Sequence, residues 1–103
     1  MITKYKIYEK IEIIKPPFEI GDYVITKSQN AGLISIFTDN NIGQLLKYYN
    51  NNGCRIKYDN IPKNLKGFFD NTDVRGFDLN QIIYWSKDKK DLEVILASKK
   101  YNL

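Results

Sequence analysis

Asp70, Asp73 and Asp78 fall in one short stretch of this 103-residue chain. Paired carboxylates can hold a divalent cation or divide acid and base roles between them. Their spacing lacks the regular ligand pattern of a calcium loop, and Asp favours turns for local hydrogen-bonding reasons, so the three read as turn formers. The chain contains no histidine, which removes the commonest general base and the commonest metal ligand. Ser28, Ser35, Ser86 and Ser98 therefore have no imidazole to activate them. Cys54 is the single cysteine; it cannot form an internal disulfide and reads as a small apolar residue in a reducing compartment. Gly21 and Gly32 are too far apart for a phosphate cradle, and neither opens a helix with Lys-Ser or Lys-Thr. These residues predict a non-catalytic protein without metal or cofactor.

Binding chemistry is better represented. Tyr48, Tyr49, Tyr58, Phe68 and Phe69 interleave with Lys47, Arg55, Lys57, Lys63 and Lys66, and Trp85 offers a further ring, the mixture of rings and cations from which docking surfaces are built. Residues 26–69 carry six Lys or Arg against two Asp, making this the most basic part of the chain. Only two arginines occur in all, few for bidentate phosphate or base contacts, so a protein partner is favoured over a nucleic acid. Adjacent strand residues point to opposite faces, so Tyr48 and Tyr49 cannot both be core, nor can Tyr84 and Trp85. In the pair Phe68-Phe69, one ring staples its loop to the core and leaves the other exposed.

These side chains need a scaffold. The hydrophobic content of 43% and aromatic content of 14% suffice for a packed core, and the length suits a single domain over residues 1–103. A net charge of +4 is mildly basic, short of a dedicated nucleic-acid binder. No apolar run is long enough to span a bilayer, and the alternating Met1–Lys6 is unlike a signal peptide. A cytoplasmic protein without membrane contact is expected.

Alternation over residues 4–13 predicts an N-terminal strand, ended by Pro16-Pro17, which cannot donate to a ladder. Rich in isoleucine, that strand offers an edge for pairing with another chain, including a second copy. Five further strands follow at about 22–26, 33–38, 43–49, 54–58 and 81–85. The Asn52-Gly53 step marks a hairpin. Residues 59–80 read as a long loop pinned by its aromatics. Ser86 caps a C-terminal helix whose first turn carries Asp88 and Asp91. The fold class is thus mainly β with one C-terminal helix.

Gly21-Asp22 before one apolar run and Gly32 before the next, with Val24, Ile34 and Ile36, resembles the start of SH3-like small barrels of the KOW and Tudor kind. The chain departs from the KOW pattern at Asn30-Ala31 and in the segment 59–80. The resemblance implies an SH3-like barrel with an added N-terminal strand. Such barrels with a terminal helix also look like many short proteins of phages and mobile elements. On this reading the chain is a phage accessory protein or host-factor inhibitor, binding a protein in the host cytoplasm or in the virion. An RNA- or DNA-binding barrel is the alternative.

Overall fold

Tyr23–Thr26 is a strand because its β-branched run follows a turn built for the purpose. Gly21 takes φ +95°, a left-handed conformation that a side chain disfavours. Asp22 is buried, and its Oδ2 accepts the Glu19 N–H at 2.8 Å while Oδ1 receives Lys87 Nζ at 3.2 Å. The Gly21 N–H donates to the Leu45 carbonyl, and the Leu45 N–H to the Asp22 carbonyl. The Gly-Asp pair therefore folds the chain onto its neighbouring strand; its role is architectural.

The computed structural model describes residues 3–4, 16–29 and 32–101. Their elements, in chain order, are β1 (Thr3–Lys4), β2 (Tyr23–Thr26), α1 (Leu33–Asp39), β3 (Gly43–Tyr48), β4 (Gly53–Tyr58), the 3-10 helix η1 (Lys63–Phe68), β5 (Val74–Asp78), the 3-10 turn η2 (Leu79–Gln81), β6 (Ile82–Ser86) and α2 (Lys89–Tyr101). The strands form one sheet in the order β1-β6-β2-β3-β4-β5, with antiparallel neighbours throughout. The fold is mainly β with a C-terminal helix. Of the N-terminal strand expected over residues 4–13, Lys4 belongs to β1, where it pairs with Tyr84 of β6 in the same chain; the rest of that span lies outside the described residues.

One face of the sheet carries the main core, which runs from Phe18 through Val24, Leu45, Ile56 and Tyr58 to Trp85. On the other face α2 lies across β2 and β6, and Leu92 is fully buried there. β2 is thus covered on both sides, which is why Val24, Ile25 and Thr26 are all buried. Tyr58 anchors an aromatic group of Phe37, Phe69 and Phe77, with centroids 5.8–6.2 Å from its own in tilted and edge-on arrangements. Its hydroxyl lies 3.3 Å from Thr26 Oγ1, which satisfies two buried polar groups together.

Two sequence expectations are corrected. The strand expected at 33–38 is the helix α1. Ile34, Phe37 and Thr38 recur at helical spacing and turn inward, while Leu33 and Ile36 face out. Asn40 and Asn41 donate their side-chain amides to the Ile36 and Phe37 carbonyls at 2.7 Å and so close the helix. The long loop expected over 59–80 contains η1, β5 and η2. Its aromatics do pin it, as expected, because Phe69 and Phe77 are buried.

The start of α2 refines a third. Ser86 ends β6, and the N-cap is Asp88, whose Oδ1 accepts the Lys90 N–H at 2.9 Å. Ser86 Oγ supports the cap by accepting the Asp88 N–H at 3.0 Å and donating to Asp91 Oδ2 at 2.6 Å. That hydroxyl holds the Asp91 carboxyl below its ordinary value near 3.8. A depressed carboxylate stabilises the fold above its unfolded pKa, and the stabilisation disappears as pH falls through the folded one. Ser86→Ala is therefore expected to lower the thermal midpoint at neutral pH and to flatten the acid side of the stability profile below about pH 4. Thermal melts of both proteins across that range check it; parallel profiles would refute the link.

Candidate docking surface

The nine side chains singled out from the sequence separate into three groups. Phe69 and Trp85 are corrections, since both rings are interior. Trp85 packs edge-on against Phe18 with centroids 5.4 Å apart, and Phe69 joins the Tyr58 group. Tyr48 is half-buried and packs on the core from the end of β3.

The second group lies on the outer face of the β3–β4–β5 ladder. β4 alternates cleanly: Cys54, Ile56 and Tyr58 point inward, Arg55 and Lys57 outward. Register places Arg55 opposite Lys47 on β3 and Gly76 on β5. A ladder irregularity between Leu45 and Lys47 turns both Leu46 and Lys47 outward. Tyr49 follows, exposed, with Lys47 Nζ 5.4 Å from its ring centroid. Gly53 and Gly76 leave a depression of about 390 Å³ beside Tyr49, Arg55, Asp78 and Gln81.

The third group belongs to η1. Leu65 and Phe69 turn inward from this segment, which leaves Lys63, Lys66 and Phe68 outside. Phe68 is 61% exposed against 6% for Phe69, which resolves the pair. α1 packs against η1 and contributes exposed Leu33 and Ile36.

Electrostatics divide the cations. Arg55 is held by Asp70. Arg75 donates to the Phe68 carbonyl at 2.9 Å and lies over the Phe69 ring. Both arginines are thus engaged inside the chain. Lys57, Lys63 and Lys66 make no ion pair among the described residues. The loop carboxylates have structural work: Asp70 holds Arg55, and Asp78 forms a reciprocal capping box with Gln81 around η2. Among the described residues no three acidic or thiol groups gather as a metal site would require. Cys54 is buried, and desolvation, helped by the nearby Asp78 charge, pushes its thiol up to about 12. It stays protonated at neutral pH and is a core residue.

Sequence reasoning missed Leu33, Ile36, Gly53, Gly76 and Arg75 as surface features. A signal existed for Gly76: a glycine inside a strand marks a bulge or a place where other backbone comes close. In comparisons with known proteins the chain matches no family model, no curated protein and no solved structure.

Proposed function

We propose that this chain is a non-catalytic binding module that docks a protein partner through the η1 corner and the adjoining outer face of β3–β5. The observation that carries the reading is the outward ring of Phe68, one residue from a buried Phe69 that fixes it in place. A large ring held on a rigid corner loses little conformational freedom on binding, which is the usual anchor of a protein interface. Lys63 and Lys66 flank it on the same short helix, and Leu33 and Ile36 extend the apolar surface from α1. Tyr49, Arg55 and Lys57 supply the polar, basic margin.

An SH3-like scaffold remains part of the proposal, on different support. Gly32, Ile34 and Ile36 start or lie in α1, so they no longer carry the resemblance. The order β6-β2-β3-β4-β5, with the single turn η2 joining the two outer strands of that set, supports it instead. Fold alone assigns no partner. Protein is favoured over nucleic acid because both arginines are already engaged, which leaves scattered lysines in place of bidentate phosphate contacts.

The test is capture of one partner protein by the immobilised chain, compared with Phe68→Ser. The wild type is expected to retain that partner as salt rises from about 50 to about 200 mM. Phe68→Ser is expected to lose it by about tenfold or more with an unchanged thermal midpoint. In parallel, a labelled oligonucleotide is titrated at the lower salt. Tight binding that collapses over the same salt range would replace the protein reading with the nucleic-acid one. Equal capture by Phe68→Ser would remove the η1 corner from the site.

A further inference from the structure

We propose that the free edge of β5 takes one extended peptide segment by main-chain pairing at Gly76. This deepens the protein-docking reading, on which it rests, by naming a second contact and the form of the partner there.

Among the described residues β5 is the last strand of the sheet, and one side of its backbone has no neighbouring strand there. Which peptides face that side follows from the register. The Tyr58 N–H donates to the Asp73 carbonyl, and the pairs Ile56↔Arg75 and Cys54↔Phe77 continue the alternation. Asp73, Arg75 and Phe77 therefore direct their peptide groups at β4, and Val74, Gly76 and Asp78 direct theirs outward. Val74 is closed: its N–H and carbonyl both bond to Asp70, at 2.9 and 2.7 Å. The Asp78 N–H is closed by Gln81 Oε1 at 2.9 Å. Gly76, between them, is exposed and has neither device.

Proteins blunt sheet edges because open peptides pair with other chains. Here the edge is blunted on both sides of one residue. Gly76 also borders two clefts. One, about 280 Å³, lies between β5 and the α1 side of the molecule and is walled by Ser28, Ser35, Thr38 and Arg75. The other is the depression beside Tyr49 and Gly53. A residue paired with Gly76 in antiparallel fashion puts its own side chain on the outer face, over the depression, and its two neighbours' side chains on the opposite face, toward the first cleft.

The occupant is set by hydrogen-bond complementarity and charge. Gly76 offers one donor and one acceptor at main-chain spacing, which an extended peptide matches with its own pair. A nucleic-acid phosphodiester only accepts and would leave the carbonyl unanswered. The first cleft carries Arg75 and Asp78, one charge of each sign, and so offers a polyanion no net attraction.

Two measurements decide this. In the isolated protein, amide exchange is expected to show Gly76 unprotected between protected Arg75 and Phe77; a protected Gly76 amide would overturn the proposal. A displayed library of random ten-residue peptides is then selected on the wild type and measured against two variants. Gly76→Pro removes the N–H at an edge position where proline is tolerated. Gly76→Val keeps the N–H and fills the depression, since a Cβ there meets only the Cys54 carbonyl at an ordinary 3.8 Å. Selected peptides are expected to lose about tenfold on Gly76→Pro, with thermal midpoints confirming that the variants fold. Binding to Gly76→Val is expected to depend on the central peptide residue. No selectable peptide, or equal binding to wild type and Gly76→Pro, would sink the proposal. Partner capture that still depends on Phe68 would then leave the docking reading standing without it.

Discussion

Phe18→Ala is expected to cost about 3–5 kcal/mol, the range for deleting a buried aromatic ring. Phe18 has no exposed surface and meets the Trp85 ring edge-on, with an interplanar angle of 72°. Its position matters as much as its size. It stands just ahead of the Glu19–Asp22 turn that starts β2, so its ring ties the entry of the sheet to β6. Removing it opens a cavity at the junction of Val24 and Trp85, which are partners in the β2–β6 register. Whole domains are stable by only about 5–15 kcal/mol, so the variant should approach the limit of folding at physiological temperature. Trp85 is the only tryptophan, and urea unfolding followed by its fluorescence reads the loss directly. Phe18→Leu, which keeps most of the volume, should lose much less. A cost below about 1 kcal/mol for Phe18→Ala would mean that the ring does not close the core.

The strands were legible where local signals and tertiary demand agreed. β2, β3, β4 and β6 begin and end within a residue of their expected limits, because apolar or alternating runs there are bounded by Gly-Asp, Asn-Gly and a capped helix. Asn52 adopts φ 71°, as the hairpin turn requires. Leu33–Asp39 shows where agreement failed. Leu33-Ile34-Ser35-Ile36-Phe37 has high strand propensity and satisfies both periods, so local reasoning favours a strand. The helix wins because Ile34 and Phe37 can reach the main core together and because two asparagines close its end. β5 was hidden for another reason. Val74-Arg75-Gly76-Phe77-Asp78 is short and has glycine at its centre, and its pairing with β4 is decided across the sheet.

The site was legible to the same depth. Sequence divided Phe68 and Phe69 between core and surface and ruled out that Tyr84 and Trp85 are both core. Choosing between them took the winding of η1, which turns Leu65 and Phe69 to the same side, and the register of β6 against β2. Of the expected basic surface, Arg55 meets a partner brought close only by the fold, Asp70.

The second large effect is expected from the opposite fault, too much volume. Gly43 opens β3 and pairs with Val24 on one side and Tyr58 on the other. A Cβ at this glycine would overlap Ile56 Cγ2 and stand 3.0 Å from the Tyr58 ring. Neither neighbour can yield cheaply. Ile56 is β-branched and fully buried, so its γ-methyl is fixed by a stiff χ1. The Tyr58 ring is held among Phe37, Phe69 and Phe77 and by its hydroxyl contact with Thr26. Gly43→Ala is therefore expected to destabilise by about 1–3 kcal/mol, and Gly43→Val by more. The mechanism makes a sharper claim than the magnitude. Ile56→Ala alone should cost about 2–5 kcal/mol by leaving a cavity, but it also removes the γ-methyl that Gly43→Ala strikes. The double variant should therefore be more stable than the sum of the single losses predicts, by about 1 kcal/mol or more. Urea denaturation of the four proteins gives the coupling. Simple additivity would show that Gly43 is constrained by something other than the close approach of β3 to Ile56.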